Sequence, residues 1–263
     1  GVNVTLWNAK HNEDMEVNGL ALGVAGPVGG RFNGVTIGLV GAVAERGFNG
    51  ITLAGIGVVS NGDMQWLSVS GLGTVANRSM RGVNLAGLGV VANGDMQGIN
   101  FSGLGTVADG TLWGLSLGGL AVVGNGSVRG ISAAGLAVVS NGDVTGVALG
   151  GLAVVGNGAV RGISAAGLAV VANGRLTGLA VGGLAVVGDE GLVGVAIGGV
   201  HVEGRWIHGL AISPIRTRTW EMRGVSIAGY NRMKGDQFGL AIGLYNYAKR
   251  LHGVQLGLIN NAR

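Results

Sequence analysis

The chain has 263 residues, of which 57 are glycine, two are proline and none is cysteine. Without a three-residue glycine period it is not a collagen-like helix, and without thiols it forms no disulfide, thiolate metal site or cysteine nucleophile. Apolar residues at 48% exclude plain disorder, while a net charge of +4, carried by basic residues scattered singly, gives no stripe for nucleic acid.

Residues 1–18 read as an irregular opening segment, and 19–263 as repeats that become atypical from about residue 200, all within a single repeat domain spanning 1–263. Gly34 and Gly50 begin a 16-residue column in which Trp66 takes the place of glycine. The column continues through Gly82, Gly98, Gly114, Gly130, Gly146, Gly162, Gly178 and Gly194. It then shortens to 15 or 14 residues at Gly209, Gly224, Gly239 and Gly253. Residues 119–150 and 151–182 differ at only six positions, and each of these blocks is two of the shorter units. Periods this short belong to arrays in which a unit buries its faces only against its neighbours.

Most units carry an Asn-Gly or Asp-Gly pair between apolar β-formers, as at Asn61-Gly62, Asn93-Gly94, Asp109-Gly110, Asn125-Gly126, Asn141-Gly142, Asn157-Gly158 and Asn173-Gly174. Such pairs are the strongest local hairpin signal, because a type I′ turn needs positive φ at both central residues. The expected architecture is all-β: a radial or barrel-like array of about 15–16-residue β-hairpin repeats. A two-sided β-solenoid, one unit per coil, is the alternative. Between turns neither face is polar, and bulk changes face at Gly150-Gly151, which predicts a bend there. Glycine within strands is costly, so these columns imply backbones that approach one another closely.

The final units, Gly239-Leu-Ala-Ile-Gly-Leu-Tyr-Asn-Tyr-Ala-Lys and Gly253-Val-Gln-Leu-Gly-Leu-Ile-Asn-Asn-Ala-Arg, resemble bacterial surface-repeat and lipoprotein-like sequences of the β-flower family. The resemblance implies a shallow barrel of hairpin petals around an apolar centre, membrane or lipoprotein anchoring in a bacterial cell envelope, and no catalytic residues. The central units depart from it, with Ala-Val-Val-x-Asn-Gly in place of Leu-Ile-Asn-x-Ala.

Few residues suggest site chemistry. Asn-Gly-Asp at 61–63, 93–95 and 141–143 has calcium-ligand residue types, but Asp143 is replaced by Arg175 in the sister unit, so turn chemistry is expected and no metal. His201, Glu203 and His208 lie together with Arg205 and Trp206, yet His208 has the opposite strand parity, which reads as a solvated rim. His11 and His252 stand alone, and Ser132 and Ser164 lack a nucleophile-elbow context. No Gly-rich stretch runs into Lys-Ser or Lys-Thr, so no phosphate loop and no cofactor is expected.

The segment 212–223 (ISPIRTRTWEMR, from Ile212 to Arg223) breaks the small-residue pattern with Pro214, Arg216, Arg218 and Trp220. The expectation is either an elongated edge hairpin in which proline guards against strand addition, or a surface contact of Arg216, Arg218 and Trp220 for lipid headgroups or a protein partner. The functional expectation is a non-catalytic cell-envelope protein that holds a lipid acyl chain or other hydrophobic segment in an apolar central channel lined by Leu136, Val138, Leu152, Val154, Leu168 and Val170. The alternatives are a transmembrane β-barrel, opposed by the absence of a polar inner face, and a solenoid scaffold.

Overall fold

In the computed structural model of the chain, residues 1–7 and 12–262 are described; His11 lies outside them. Every described element is a β-strand, and the chain divides into two units, residues 1–134 and 135–263. Each is a parallel β-solenoid.

In the first unit the repeating coil is a four-residue strand, a corner, a strand of seven or eight residues and a second corner, as in Gly73–Ala76, Met80–Ala86 and then Gly89–Ala92. Met80–Ala86 pairs with Met96–Ser102, and Gly89–Ala92 with Gly105–Ala108, in parallel and in register, so each residue stacks on the one 16 positions later. The second unit repeats this from Ala137–Ser140 and Val144–Gly150 onward. Its stacking interval then falls to 15 residues at Gly194↔Gly209 and to 14 at Gly239↔Gly253.

The fold is therefore the solenoid, and the hairpin geometry is replaced by parallel pairing. The physical reason lies in the backbone. Positive φ, which a type I′ turn requires at both central residues, is found at the mid-strand glycines and not at the Asn-Gly pairs. The Asn-Gly pairs turn the chain onto the next side of the same coil, and a coil of 16 residues is long enough to be the crossover that a parallel pair needs. Stacking like on like then links the asparagines: Asn77 Nδ2 donates to Asn61 Oδ1 at 2.8 Å, and Asn173 Nδ2 to Asn157 Oδ1 at 3.1 Å. The bend expected at Gly150-Gly151 is the other corner of the coil, where Val144–Gly150 ends and Ala153–Gly156 begins.

The mid-strand glycine bends the long strand. At Gly98 φ is +115°, and a Cβ built there would overlap the Gly82 carbonyl oxygen in the coil before. The alternation runs through the bend: Met96, Asn100 and Ser102 share one strand parity and all point inward. Three kinds of inward row fill each unit: large residues (Met64, Met80, Met96), the short-strand row (Val58, Val90, Val122 in the first unit; Val138, Val154, Val170 in the second) and small residues (Ser116, Ser132; Ala148, Ser164). Opposite them, an outward row of equal regularity is apolar as well.

Candidate functional site: the outward apolar faces

The corner residue that follows the second glycine of each unit is Leu72, Leu88, Leu104 and Leu120 in the first unit, and Leu136, Leu152, Leu168 and Leu184 in the second. Their backbones form a continuous ladder within each unit, Leu104 N–H to Leu88 carbonyl at 2.8 Å and Leu152 N–H to Leu136 carbonyl at 2.8 Å. Their side chains point away from the core and remain 44–49% exposed. Beside them, the outward positions after the bend add Ile99 and Phe101 in one coil, and Ile131 and Ile163 in others, all about half exposed. An apolar surface that persists from coil to coil far exceeds the isolated apolar residues normal on a soluble protein, and marks a surface meant to be covered.

The opposite edge is polar. On the near side of the bend stand Gln65, Arg81, Gln97, Trp113 and Arg129 in the first unit and Thr145, Arg161 and Thr177 in the second, next to the asparagine corner. Each unit is thus amphipathic in cross-section, with a cationic and aromatic margin beside the apolar faces. Trp66 and Trp113 are the two large exposed aromatics of that margin.

The six residues expected to line a central channel do not share one. Val138, Val154 and Val170 are fully buried in the packed interior, whereas Leu136, Leu152 and Leu168 lie on the outside at the corner. The corner between Leu152 and Ala153–Gly156 separates the two sets: Leu152 is at the bend, pointing out, and Val154 lies in the short strand, pointing in. The apolar surface is external.

Arg216, Arg218 and Trp220 are outward residues of one rung. Arg218 pairs with Glu203 at 3.5 Å, and Trp220 is exposed with its indole against Gly235. The Arg216 backbone N–H bonds the Val200 carbonyl at 3.0 Å, while its Nε is buried without a hydrogen-bond partner. His201 Nε2 meets Glu203 Oε2 at 2.7 Å, whereas His208 lies tilted against Trp206 with ring centroids 4.8 Å apart, so the two histidines belong to separate clusters. His252 stacks on Phe238. Asp63, Asp95 and Asp143 each accept the backbone N–H of the next coil's corner residue, from Ser79, Thr111 and Ala159. They tie coils together at the corner. Ser132 and Ser164 are buried in the small inward row, and among the described residues no three His, Asp or Glu side chains converge as a metal-ligand set.

The second unit also holds an apolar groove of about 610 Å³. The row Ile212, Ile227 and Ile242 forms one wall, and Pro214 and Leu244 form the other. Its floor is small, from Ser213 and Ala228 to Gly243. Sequence reasoning missed this groove. Its signal was the change of the glycine before the corner leucine to Pro214, which raises a wall where the central coils have none.

No family model matches the chain, and neither a curated protein nor a solved structure does.

Proposed function

We propose that the protein is a non-catalytic cell-envelope component that lies with its outward apolar faces against a lipid surface. The observation that carries this reading is the leucine corner row, half exposed in coil after coil, together with the outward Ile99, Phe101, Ile131 and Ile163, which extend the apolar surface towards the far edge of the long strand where Arg81, Arg129, Arg161, Trp66 and Trp113 stand exposed. Apolar residues bordered by arginine and tryptophan have the chemistry of the membrane–water boundary. Aromatic rings settle there at headgroup level, and each cation near an anionic surface adds about 1 kcal/mol.

Full burial of a leucine is worth about 1.5–3 kcal/mol, so covering the exposed half contributes about 1 kcal/mol per coil. Replacing Leu88, Leu104 and Leu120 together by glutamine removes about 3 kcal/mol, a weakening on the order of a hundredfold. The measurement is co-sedimentation with phosphatidylcholine vesicles containing phosphatidylglycerol. The wild-type chain is expected to bind, and the triple variant, with an unchanged circular dichroism spectrum, to stay in solution. A wild-type chain that ignores vesicles, or a triple variant that binds them equally well, overturns the reading.

A further inference from the structure

The charge of the chain is divided unequally. Residues 201–263 carry nine basic against three acidic side chains, a balance of +6, whereas residues 1–200 carry eight against ten, a balance of −2. Such asymmetry points to an acidic partner. In sequence these basic residues stand singly, but a solenoid sets residues about one coil apart side by side. In the second unit Arg205, Arg218 and Lys234 thereby come to line one cleft of about 220 Å³, together with Asp189, Glu203 and Trp220. Glu203 is held in place, with Oε2 on His201 Nε2 at 2.7 Å and Oε1 on Arg218 Nη1 at 3.5 Å. Among the described residues no ion pair reaches Arg205, Lys234 or Asp189.

Two tryptophans of this region are treated differently. Trp206 is covered, with the Arg175 guanidinium 5.0 Å from its ring centroid and the His208 ring at 4.8 Å. Trp220 lies over Gly235, where an added Cβ would come within 2.8 Å of its Cδ1, and no other ring or guanidinium covers it among the described residues. It is 59% exposed, an open aromatic plate beside free cations and carboxylates. The indole suits the apolar face of a ring, the carboxylates accept hydrogen bonds from hydroxyl groups, and the free cations take an anionic group. An acidic sugar has all three, with its carboxylate at one end of the ring and hydroxyls at the other. A nucleic-acid backbone or an anionic lipid headgroup brings charge, but its phosphate meets Asp189 and Glu203 as like charges. We infer that the cleft binds one residue of an acidic polysaccharide, its ring on Trp220, its carboxylate on Arg205 and Lys234, and its hydroxyls on Asp189 and Glu203. The volume lies below the range of about 300–1,000 Å³ for drug-sized ligands and suits a single sugar ring. Beyond the cleft Arg232 stands in register with Tyr247 and Tyr230 stacks on Tyr245 at 5.0 Å, which continues the basic and aromatic face for neighbouring sugars. No leucine-corner residue lines this cleft, so the binding stands apart from the lipid contact.

The test is isothermal titration of the full chain with trimers of galacturonic and mannuronic acid, with their methyl esters, and with a short single-stranded oligodeoxynucleotide. At least one acidic trimer should bind, and its ester should bind about tenfold more weakly. Arg205→Gln combined with Lys234→Gln should bring the acid down to the level of the ester and leave the ester unchanged. Trp220→Ala should weaken acid and ester alike, about fivefold or more. Asp189→Ala is the decisive variant, because it makes the surface more positive while removing an acceptor for hydroxyls. It should weaken the acidic trimer several-fold and strengthen whatever binding the oligonucleotide shows. These side chains are exposed or half-buried, and circular dichroism checks that each variant folds. No binding of any acidic trimer, equal binding of acid and ester, or a tighter acidic trimer with Asp189→Ala overturns the inference. So does an oligonucleotide that binds more tightly than the trimers and is lost with Trp220→Ala, which would make the face a nucleic-acid surface. Vesicle binding that disappears with Trp220→Ala while the trimers are ignored assigns these residues to the lipid contact instead. Vesicle binding without sugar binding leaves the proposed function standing, and sugar binding without vesicle binding removes that function alone.

Discussion

Two glycines of the first unit, seven residues apart, should respond in opposite ways to the same substitution. Gly98 lies at the mid-strand bend with φ at +115°, and an added Cβ would run into the Gly82 carbonyl oxygen. Gly105 opens the short strand in an ordinary conformation, its nearest neighbour for a Cβ is the Ala121 carbonyl oxygen at 3.8 Å, and Ala121 itself occupies the same position one coil later. For Gly98→Ala the forbidden backbone region costs about 1–3 kcal/mol, and separating two hydrogen-bonded rungs adds about 1–3 kcal/mol more, so a loss of about 4 kcal/mol is expected. For Gly105→Ala the restricted unfolded chain gives a gain of about 0.4–1 kcal/mol. Urea unfolding followed by circular dichroism reads both. Because coils couple only to their neighbours, a broken rung at Gly98 should also lower the m-value, as the array stops unfolding as one unit. If the two alanine variants differ by less than about 1 kcal/mol, the steric account of the glycine column is wrong.

Other residues give smaller but definite effects. Trp66 sits in that same column with φ at +84°, the single non-glycine residue with positive φ among those described. Trp66→Gly should therefore raise stability by about 0.5–1 kcal/mol in urea while weakening vesicle binding, since the strained and exposed indole is kept for its surface. Asn84 Nδ2 donates to Asn100 Oδ1 at 2.8 Å inside the core, and Asn100 Nδ2 is buried without a partner. Asn100→Ser strips Asn84 of its acceptor and should cost about 1–3 kcal/mol. The double change to serine, the residue of sister coils at Ser116 and Ser132, should recover most of that loss by the same measurement.

The repeat, its period and the all-β class were legible in the residues, because identical glycines at a fixed interval, set between β-formers, require units that stack on one another. The direction of pairing was not. Asn157-Gly158 has the composition of a type I′ turn, but composition does not tell a turn that reverses the chain from a corner that carries it onward. What decides is whether a residue meets its neighbour across the turn or its counterpart in the next coil. For Asn157 the counterparts won: it donates to Asn141 and accepts from Asn173. The same ambiguity hid the site. Leu152 and Val154 have equal strand parity, and only the corner between them sends one outward and the other inward. The groove escaped notice because a wall built by Pro214 and Leu244 depends on the stacking of residues 30 positions apart in sequence.

That corner also separates what holds the protein together from what it offers to a partner, and the separation can be measured with one substitution made at two positions. Val154 is fully buried, so Val154→Gln loses about 1.5–3 kcal/mol of transfer energy and buries an amide at a further cost of about 1–3 kcal/mol, which predicts a loss of about 4 kcal/mol. Leu152, two residues earlier, is 44% exposed, and the methylenes of glutamine retain part of its contact with the neighbouring leucines, so Leu152→Gln should cost under about 1 kcal/mol. Affinity for vesicles should move the opposite way, with Leu152→Gln lowering it several-fold and the surviving folded fraction of Val154→Gln binding as the wild-type chain does. Were Leu152→Gln to destabilise the fold as much as Val154→Gln, the leucine corner would be structural packing, and its exposure would no longer argue for a lipid surface.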